Sequence, residues 1–229
     1  MPYAAGLYYE EAGSGQPLIL LHGNGEEHGY FVHQIEYFAR RFRVVAPDTR
    51  GHGQSPRGEG AFSIRRFAGD LYRFMCDLGL KKAHILGFSD GGNIALCFAL
   101  THPEMVDRLV LNGANLDASG VKRSTQLPIE IGYKIASWAA VRGEKAKANA
   151  EMLGLMVNDP NIDPEDLGKI NCPTLVVAGT KDMIKLTHTR LIADRLPDSR
   201  LVILKGDHFV ANKNPRDFNA AVEAFLTQG

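Results

Sequence analysis

The chain has 229 residues, of which 45% are hydrophobic and 23% charged, and its 26 basic side chains balance its 26 acidic ones. This composition is that of an ordinary globular protein, and it excludes a disordered chain, a collagen and a coiled coil. A neutral chain without a long Lys/Arg cluster lacks the electrostatic footprint of a nucleic-acid-binding protein. The length predicts one domain with a small insert.

No apolar run approaches the roughly 20 residues that span a bilayer, and the N-terminal sequence lacks the basic and apolar regions of a signal peptide. We therefore expect a cytoplasmic protein with no membrane partner. The cysteines Cys76, Cys97 and Cys172 are widely spaced and odd in number. This pattern predicts packing roles rather than a disulfide framework or a metal cluster.

Short runs rich in Val, Ile and Leu alternate with longer segments of helical period, which predicts an α/β fold with a mostly parallel sheet and helices on both faces. An edge strand is expected at residues 7–11, and further strands at 18–22, 43–47, 83–88, 108–112, 174–179 and 200–204. One helix is predicted after Ser63, which is placed to cap it, and another from Pro215 onwards.

Residues 113–171 interrupt this alternation with two helical segments, near 128–141 and 144–157. We interpret them as a small helical cap insert between two core segments, residues 1–112 and 172–229. Ile131, Ile135 and Trp138 share one face of the first segment, and the second segment offers Met152, Leu155 and Met156. These residues are expected either to pack the insert against the sheet or to contact a substrate.

The most informative motif is Gly-Phe-Ser-Asp-Gly at residues 87–91, between a predicted strand and an apolar helix. A strand that turns directly into a helix forces the central residue into a strained conformation, so small residues must flank it. The turn raises the hydroxyl of Ser89 above the sheet and places N–H groups at a helix N-terminus. Ser89 is therefore predicted to be a nucleophile rather than a helix-capping serine.

A serine nucleophile needs a base, and the base needs a carboxylate that orients it. Two later strands end in Asp182 and His208, at the same edge of a parallel sheet as Ser89. Of the eight histidines, His208 has both the loop position and the chain order that this chemistry needs. Asp207 competes with Asp182, but adjacent side chains on an extended segment diverge.

The loop after the first central strand contains glycines that let a backbone N–H approach a substrate carbonyl. We assign the oxyanion hole to the N–H groups of Asn24 and Asp90, with Gly25 as the alternative to Asn24. Substrate contacts are expected from Phe88, Trp138, Met183 and Phe209.

Five ordered motifs resemble those of the α/β-hydrolase superfamily: His-Gly at 22–23, Asp-Thr-Arg-Gly-His-Gly-Gln-Ser at 48–55, Gly-Phe-Ser-Asp-Gly-Gly at 87–92, the segment 172–179 leading to Asp182, and Gly-Asp-His-Phe at 206–209. The resemblance implies a Ser-Asp-His hydrolase with the strand order and cap position of that fold. It also implies that the 48–55 loop is structural, with a buried ion pair between Asp48 and Arg50. Only six residues precede Leu7, so about seven strands are expected.

Ester hydrolysis needs only a nucleophile, a base and an oxyanion hole, so the first choice is a carboxylesterase for small esters. The alternatives are carbon–carbon, thioester or amide hydrolysis on the same residues, or a ligand-binding or signalling protein on a hydrolase scaffold. No metal or cofactor is expected, because no metal-ligand spacing or cofactor fingerprint is present. The sequence does not indicate an oligomeric state.

Asp90 directly follows the predicted nucleophile. The Gly-x-Ser-Asp-Gly-Gly variant at 87–92 is similar to that of valacyclovir-hydrolase-like enzymes, in which a carboxylate beside the serine can attract a substrate ammonium. One hypothesis is therefore a preference for cationic esters. The other is that Asp90 only stabilises the helix N-terminus.

Overall fold

The computed structural model describes residues 2–228. Its central sheet has the strands β1 (Tyr3–Ala4), β2 (Leu7–Ala12), β3 (Gln16–Leu21), β4 (Phe42–Pro47), β5 (Ala83–Phe88), β6 (Val106–Asn112), β7 (Thr174–Gly179) and β8 (Ser199–Leu204). Their order is β1-β2-β4-β3-β5-β6-β7-β8. β2 is antiparallel to both of its neighbours, and all other pairs are parallel. The predicted mostly parallel sheet is confirmed.

The sheet has eight strands where the sequence predicted about seven. Tyr3–Ala4 forms a two-residue edge strand antiparallel to β2, so β2 is not the edge. The turn between them consists of Ala5 and Gly6, which have φ values of 47° and 81°. Two consecutive residues of positive φ make a tight hairpin that matches the twist of its strands. Such a short strand has no periodicity that the sequence could reveal.

Eight helices accompany the strands: α1 (Val32–Phe38), α2 (Ile64–Asp77), α3 (Asp90–Thr101), α4 (Arg123–Ala139), α5 (Glu144–Asn158), α6 (Leu186–Arg195), α7 (Val210–Lys213) and α8 (Pro215–Leu226). Ser63 caps α2 as predicted, since its hydroxyl accepts from the N–H of Arg66 at 3.2 Å. One apolar cluster joins α2 and α3 to the sheet, and another joins α1 and α8 to it. Within residues 2–228, no helix has the length and apolar character needed to cross a membrane.

Residues 113–171, the helical insert, contain α4 and α5, which pack on each other. Leu155 of α5 is buried in the core, and the backbone carbonyl of Met152 accepts from the side-chain amide of Asn24 at 2.8 Å. In contrast, Ile131, Ile135 and Trp138 are exposed. The interpretation that the insert packs against the sheet is therefore wrong for these three residues of α4, whereas the burial of Leu155 in the core supports it for α5. The sheet is not the neighbour of this face of α4, because α4 packs on α5 through its other side.

The ion pair implied between Asp48 and Arg50 is also wrong. Asp48 is fully buried and accepts hydrogen bonds from the backbone N–H groups of His28 and Gln54, each at 2.8 Å. Arg50 forms a bidentate pair with Asp70 of α2, with both N–O distances 2.7 Å. Backbone donors from Gln54 in the same loop and from His28 satisfy the buried carboxylate, which leaves the guanidinium of Arg50 to bind α2.

Buried histidines make the stability of this fold sensitive to acid. Burial lowers the pKa of His22 to about 4, and burial also lowers the pKa values of His52, His84 and His188. His22 uses both ring nitrogens, since Nδ1 donates to the Gly23 carbonyl at 2.8 Å and Nε2 accepts from the N–H of Thr49 at 2.9 Å. Protonation of Nε2 would remove its acceptor function.

We expect the free energy of unfolding to fall as the pH is lowered from 6.5 towards 4. In that range the unfolded chain takes up protons that the folded histidines do not bind, and the loss for His22 alone is about 3 kcal/mol. Asp90 opposes this loss, because burial raises its pKa to about 6 and the folded chain binds a proton there first. The other three buried histidines add to the loss, so a net fall is expected. Urea unfolding at a series of pH values measures the free energy of unfolding. The exposed His33 on α1 provides the control, because His33→Gln should keep the wild-type pH profile. A free energy of unfolding that stays constant between pH 6.5 and 4.5 would contradict this expectation.

Candidate active site

Ser89 lies at the sharp turn between β5 and α3. Its φ and ψ are 53° and −120°, a region that residues other than glycine rarely occupy. Its N–H donates to the Asn112 carbonyl at 2.8 Å, and its carbonyl accepts from the N–H of Gly92 at 2.8 Å. These backbone bonds hold the strained residue between β6 and the first turn of α3. The hydroxyl is thereby presented at the carboxyl edge of the sheet.

The glycines around Ser89 are required by close backbone contacts. A Cβ on Gly87 would lie 2.3 Å from the carbonyl oxygen of Gly91, and one on Gly91 would lie 2.0 Å from the carbonyl oxygen of Leu21. On Gly23 it would lie 3.2 Å from the Cβ of Ser89. Since real Cβ atoms do not approach other atoms at the first two distances, larger side chains would push α3 away from β3 and β5.

Asp182, His208 and Ser89 form one hydrogen-bonded chain at this edge. Nδ1 of His208 lies 2.7 Å from Oδ1 of Asp182, and Nε2 of His208 lies 3.0 Å from Oγ of Ser89. The Asp182 carboxylate also accepts from the N–H of Ile184 at 2.9 Å. Asp182 and His208 are both buried, whereas Ser89 is half-buried.

The hydrogen bonds among Asp182, His208 and Ser89 determine which ring nitrogen of His208 carries the hydrogen. A carboxylate can only accept, so Nδ1 of His208 carries the hydrogen and Nε2 is free to accept from Ser89. Asp207, the competing acid, points elsewhere: its carboxylate accepts from the N–H of Phe209 at 3.0 Å and pairs with Lys213. The structure therefore places Asp182, not Asp207, against the imidazole.

The backbone N–H groups of Asn24 and Asp90 donate no hydrogen bond within residues 2–228. Asn24 lies in the loop after β3, and the N–H of Asp90 is in the first turn of α3, where intrahelical partners are missing. Both N–H groups belong to segments that adjoin Ser89, and the positive end of the α3 dipole adds to their pull on an anion. Gly25 lies in the same loop with a φ of 75°.

The side chain of Asp90 is buried in a polar cluster under the helical insert. Its Oδ1 accepts from Nδ2 of Asn93 at 3.2 Å, and Asn93 also donates to Oδ1 of Asn115 at 3.2 Å. Burial raises the pKa of Asp90 to about 6, against the opposing influence of the Asn24 and Asn93 amides. Oδ2 of Asp90 is buried without a hydrogen-bond partner among the described residues.

The four residues expected to contact a substrate do not share one surface. Phe88 is 1% exposed, with its ring stacked on that of Tyr30 at 4.3 Å and packed against the imidazole of His208 at 4.9 Å. Trp138 is exposed on α4, and Met183 is half-buried directly after Asp182. Phe209 borders an open cleft of about 580 Å³ that is also lined by Glu26, Glu27, Gly29, Tyr30, Asn212 and Lys213.

Two contributors to the site were missed in the sequence. Gly113, directly after β6, has a φ of 64°, and a Cβ there would lie 2.7 Å from Cε1 of His208. The glycine after a predicted strand end was an available signal. Asn93, which joins Asp90 to the start of the helical insert, carried no signal, because a single asparagine inside an apolar helix does not reveal its partners.

One group of described side chains brings possible metal ligands together: Glu27, His28 and Asp48. Nδ1 of His28 and Oδ1 of Asp48 already bond to each other at 2.8 Å. The Asp48 carboxylate is further occupied by backbone donors. These contacts explain the arrangement as a loop anchor.

Comparisons with known proteins agree with this geometry. Residues 16–128 match a family model described as the alpha/beta hydrolase fold. RutD of Caulobacter sp. (strain K31), provisionally named as a carbamate hydrolase, is 32% identical over 97% of this chain and 96% of its own length. The human serine hydrolase BPHL is 30% identical, with 96% of this chain and 82% of BPHL covered.

A solved structure shows the same likeness in three dimensions. A thermophilic esterase from Thermogutta terrifontis superposes with a TM-score of 0.79 at 25% identity, covering 96% of this chain and 92% of the esterase. Both the sequence and the structural matches therefore extend over nearly the full length of this chain.

Proposed function

Because this chain belongs to the α/β-hydrolase fold family, and is thus a hydrolase, we propose that it is a serine hydrolase for small carboxylic esters. The observation that carries the proposal is the hydrogen-bonded chain from Asp182 through His208 to Ser89, with distances of 2.7 and 3.0 Å. This arrangement fits the roles of acid, base and nucleophile in acyl transfer.

In the proposed reaction, Oγ of Ser89 attacks the ester carbonyl carbon while Nε2 of His208 takes the hydroxyl proton. The carbonyl oxygen becomes an oxyanion, and in this proposal the N–H groups of Asn24 and Asp90 bind it. Collapse of this intermediate expels the alcohol, which takes the proton from His208, and leaves an acyl group on Ser89. Water then attacks the acyl carbon while His208 takes its proton, and His208 returns that proton to Oγ of Ser89 as the acyl–oxygen bond breaks and the carboxylic acid leaves.

Asp182 contributes by holding the imidazole and by stabilising its positive charge when it is protonated. Its own position is fixed by the N–H of Ile184. No step in this scheme needs a group other than the chain's own residues, the ester and water.

The proposal also specifies the kind of substrate bond that is hydrolysed. RutD is provisionally named for carbamates, whereas the Thermogutta protein is an esterase. Esters come first because the described site supplies what ester hydrolysis requires and adds no further charged group at the Ser89 hydroxyl. Hydrolysis of carbon–carbon bonds, thioesters or amides, or ligand binding without turnover, are the alternatives on the same residues.

We expect Ser89→Ala to lower kcat for p-nitrophenyl acetate by at least about 10,000-fold, because the substitution removes the attacking oxygen. A fluorophosphonate probe should label the wild type and not the variant. With a two-helix insert over the site, activity should be highest for acetate and butyrate and should fall for octanoate. Labelling of Ser89 without turnover of any ester would contradict the esterase proposal and favour one of the alternatives.

Asp182→Asn and Asp207→Asn form a matched pair, since both are isosteric changes close to His208. Asp182→Asn should lower kcat by about 10,000-fold, because an amide no longer fixes the Nδ1–H tautomer. Asp207→Asn should change kcat by less than about threefold, since Asp207 binds Lys213 instead. Equal losses in the two variants, measured with the same ester, would refute the assignment of Asp182.

A second proposal concerns the buried carboxylate of Asp90. Its Oδ2 lacks a partner among the described residues, which favours an N–H or ammonium group of the substrate as the missing donor. We expect Asp90→Asn to lower kcat/KM for an amino-acid ester by about 10 to 100-fold, the usual effect of a hydrogen bond to a charged group. A neutral ester of the same size should be nearly unaffected.

The pH dependence gives a second test of the Asp90 proposal. Since its pKa is raised to about 6, the preference for the cationic ester should be full above pH 6 and should weaken below it. If Asp90→Asn lowers kcat/KM equally for both esters, the carboxylate acts only at the helix N-terminus and the cation preference is refuted.

A further inference from the structure

We propose that two copies of this protein pair through the exposed face of α4. The apolar residues of this face, together called the α4 stripe, are between 43% and 88% exposed: Leu127, Ile131, Ile135, Trp138 and Val141. They follow the spacing i, i+4, i+8, i+11 and i+14 along one side of α4 and the 3-10 turn Ala140–Arg142 that follows it, so they form a continuous ridge about 20 Å long.

The α4 stripe does not belong to the core of its own chain. α4 packs on α5 through the opposite side, where Gln126 is buried and donates to the Met156 carbonyl at 3.2 Å. The helix is also anchored at its start, because the N–H of Lys122 donates to the Met183 carbonyl at 2.8 Å. The ridge is therefore held in place by contacts that leave its apolar side facing outwards.

The apolar area of the α4 stripe matches what pairing with a second copy of the chain would bury. At these exposures the five side chains offer on the order of 500 Å² of apolar surface, which is the size of the largest patch on a typical monomer, and such patches are often functional. Two-fold pairing of identical ridges buries twice that area, about the 1,000 Å² at which specific interfaces begin. A ridge on a straight helix is complementary to itself, as an isologous contact requires.

The charges favour a second copy over a lipid surface. The chain has no net charge, so two copies do not repel at long range, and an anionic membrane would gain little from electrostatic attraction. At the edge of the stripe Arg123 is already paired with Glu130 at 2.8 Å. Lys134 lies along the same face, and its flexible stem lets the ammonium reach solvent at the rim.

The test uses the intact chain and two glutamate variants. In sedimentation velocity from about 1 to about 100 µM, where interfaces of this size dissociate, the wild type should reach twice the 25.1 kDa chain mass. Ile135→Glu, at the centre of the α4 stripe, should remain at the monomer mass. Val32→Glu is the matched control, because Val32 is 53% exposed on α1 and lies outside the stripe.

Trp138 is the only tryptophan in the chain, so its fluorescence reports on the α4 stripe directly. Its emission should shift to shorter wavelength as the wild type and Val32→Glu pair, and should stay constant with concentration in Ile135→Glu. Circular dichroism verifies that each variant is folded. Both variants should fold, because Ile135 and Val32 are exposed and a glutamate at either position buries no charge. A monomeric wild type, a dimer that survives Ile135→Glu, or an emission shift only with lipid vesicles would overturn the proposal.

Discussion

The close approach of β3, β5 and α3 at Ser89 is the constraint on which the rest of the site depends. Gly87 and Gly91 allow the strand to turn into the helix within one residue, and their missing side chains let backbone carbonyls lie where a Cβ would stand. The strained backbone of Ser89 follows from this approach. It is stabilised by hydrogen bonds to β6 and α3 rather than by its own side chain.

The same approach links the proposed nucleophile to the proposed oxyanion donors. The loop after β3 passes close to Ser89 at Gly23, and the N–H groups of Asn24 and Asp90 belong to the two segments that meet there, this loop and the first turn of α3. His208 follows β8, three strands along the sheet from β5, and its ring fits only because Gly113 leaves room for it. Small residues at strand ends therefore do as much to build the site as the polar residues do.

The helical insert is tied to this centre by a few polar contacts. Asn24 holds α5 through the Met152 carbonyl, and Asn93 connects Asp90 to Asn115 at the start of the insert. The Asn93–Asn115 bond is buried, so breaking it leaves an unsatisfied polar group at the site, whereas the Asn24–Met152 bond is part-buried. The exposed apolar residues of α4 take no part in these two bonds at Asn24 and Asn93.

The sequence by itself determined the mostly parallel sheet, the turn at Ser89 and the placement of Asp182 and His208 at one strand edge, because hydrophobic period and chain order carry that information. Tertiary structure decided the partners: Asp70 for Arg50, α5 for α4, and Asn93 for Asp90. It also decided the two-residue first strand, which local pattern cannot reveal. Most of these pairings join residues that are far apart in the sequence. Several residues of the same chemical type could serve as the partner, and only burial and hydrogen-bond geometry in the folded chain decide which one does.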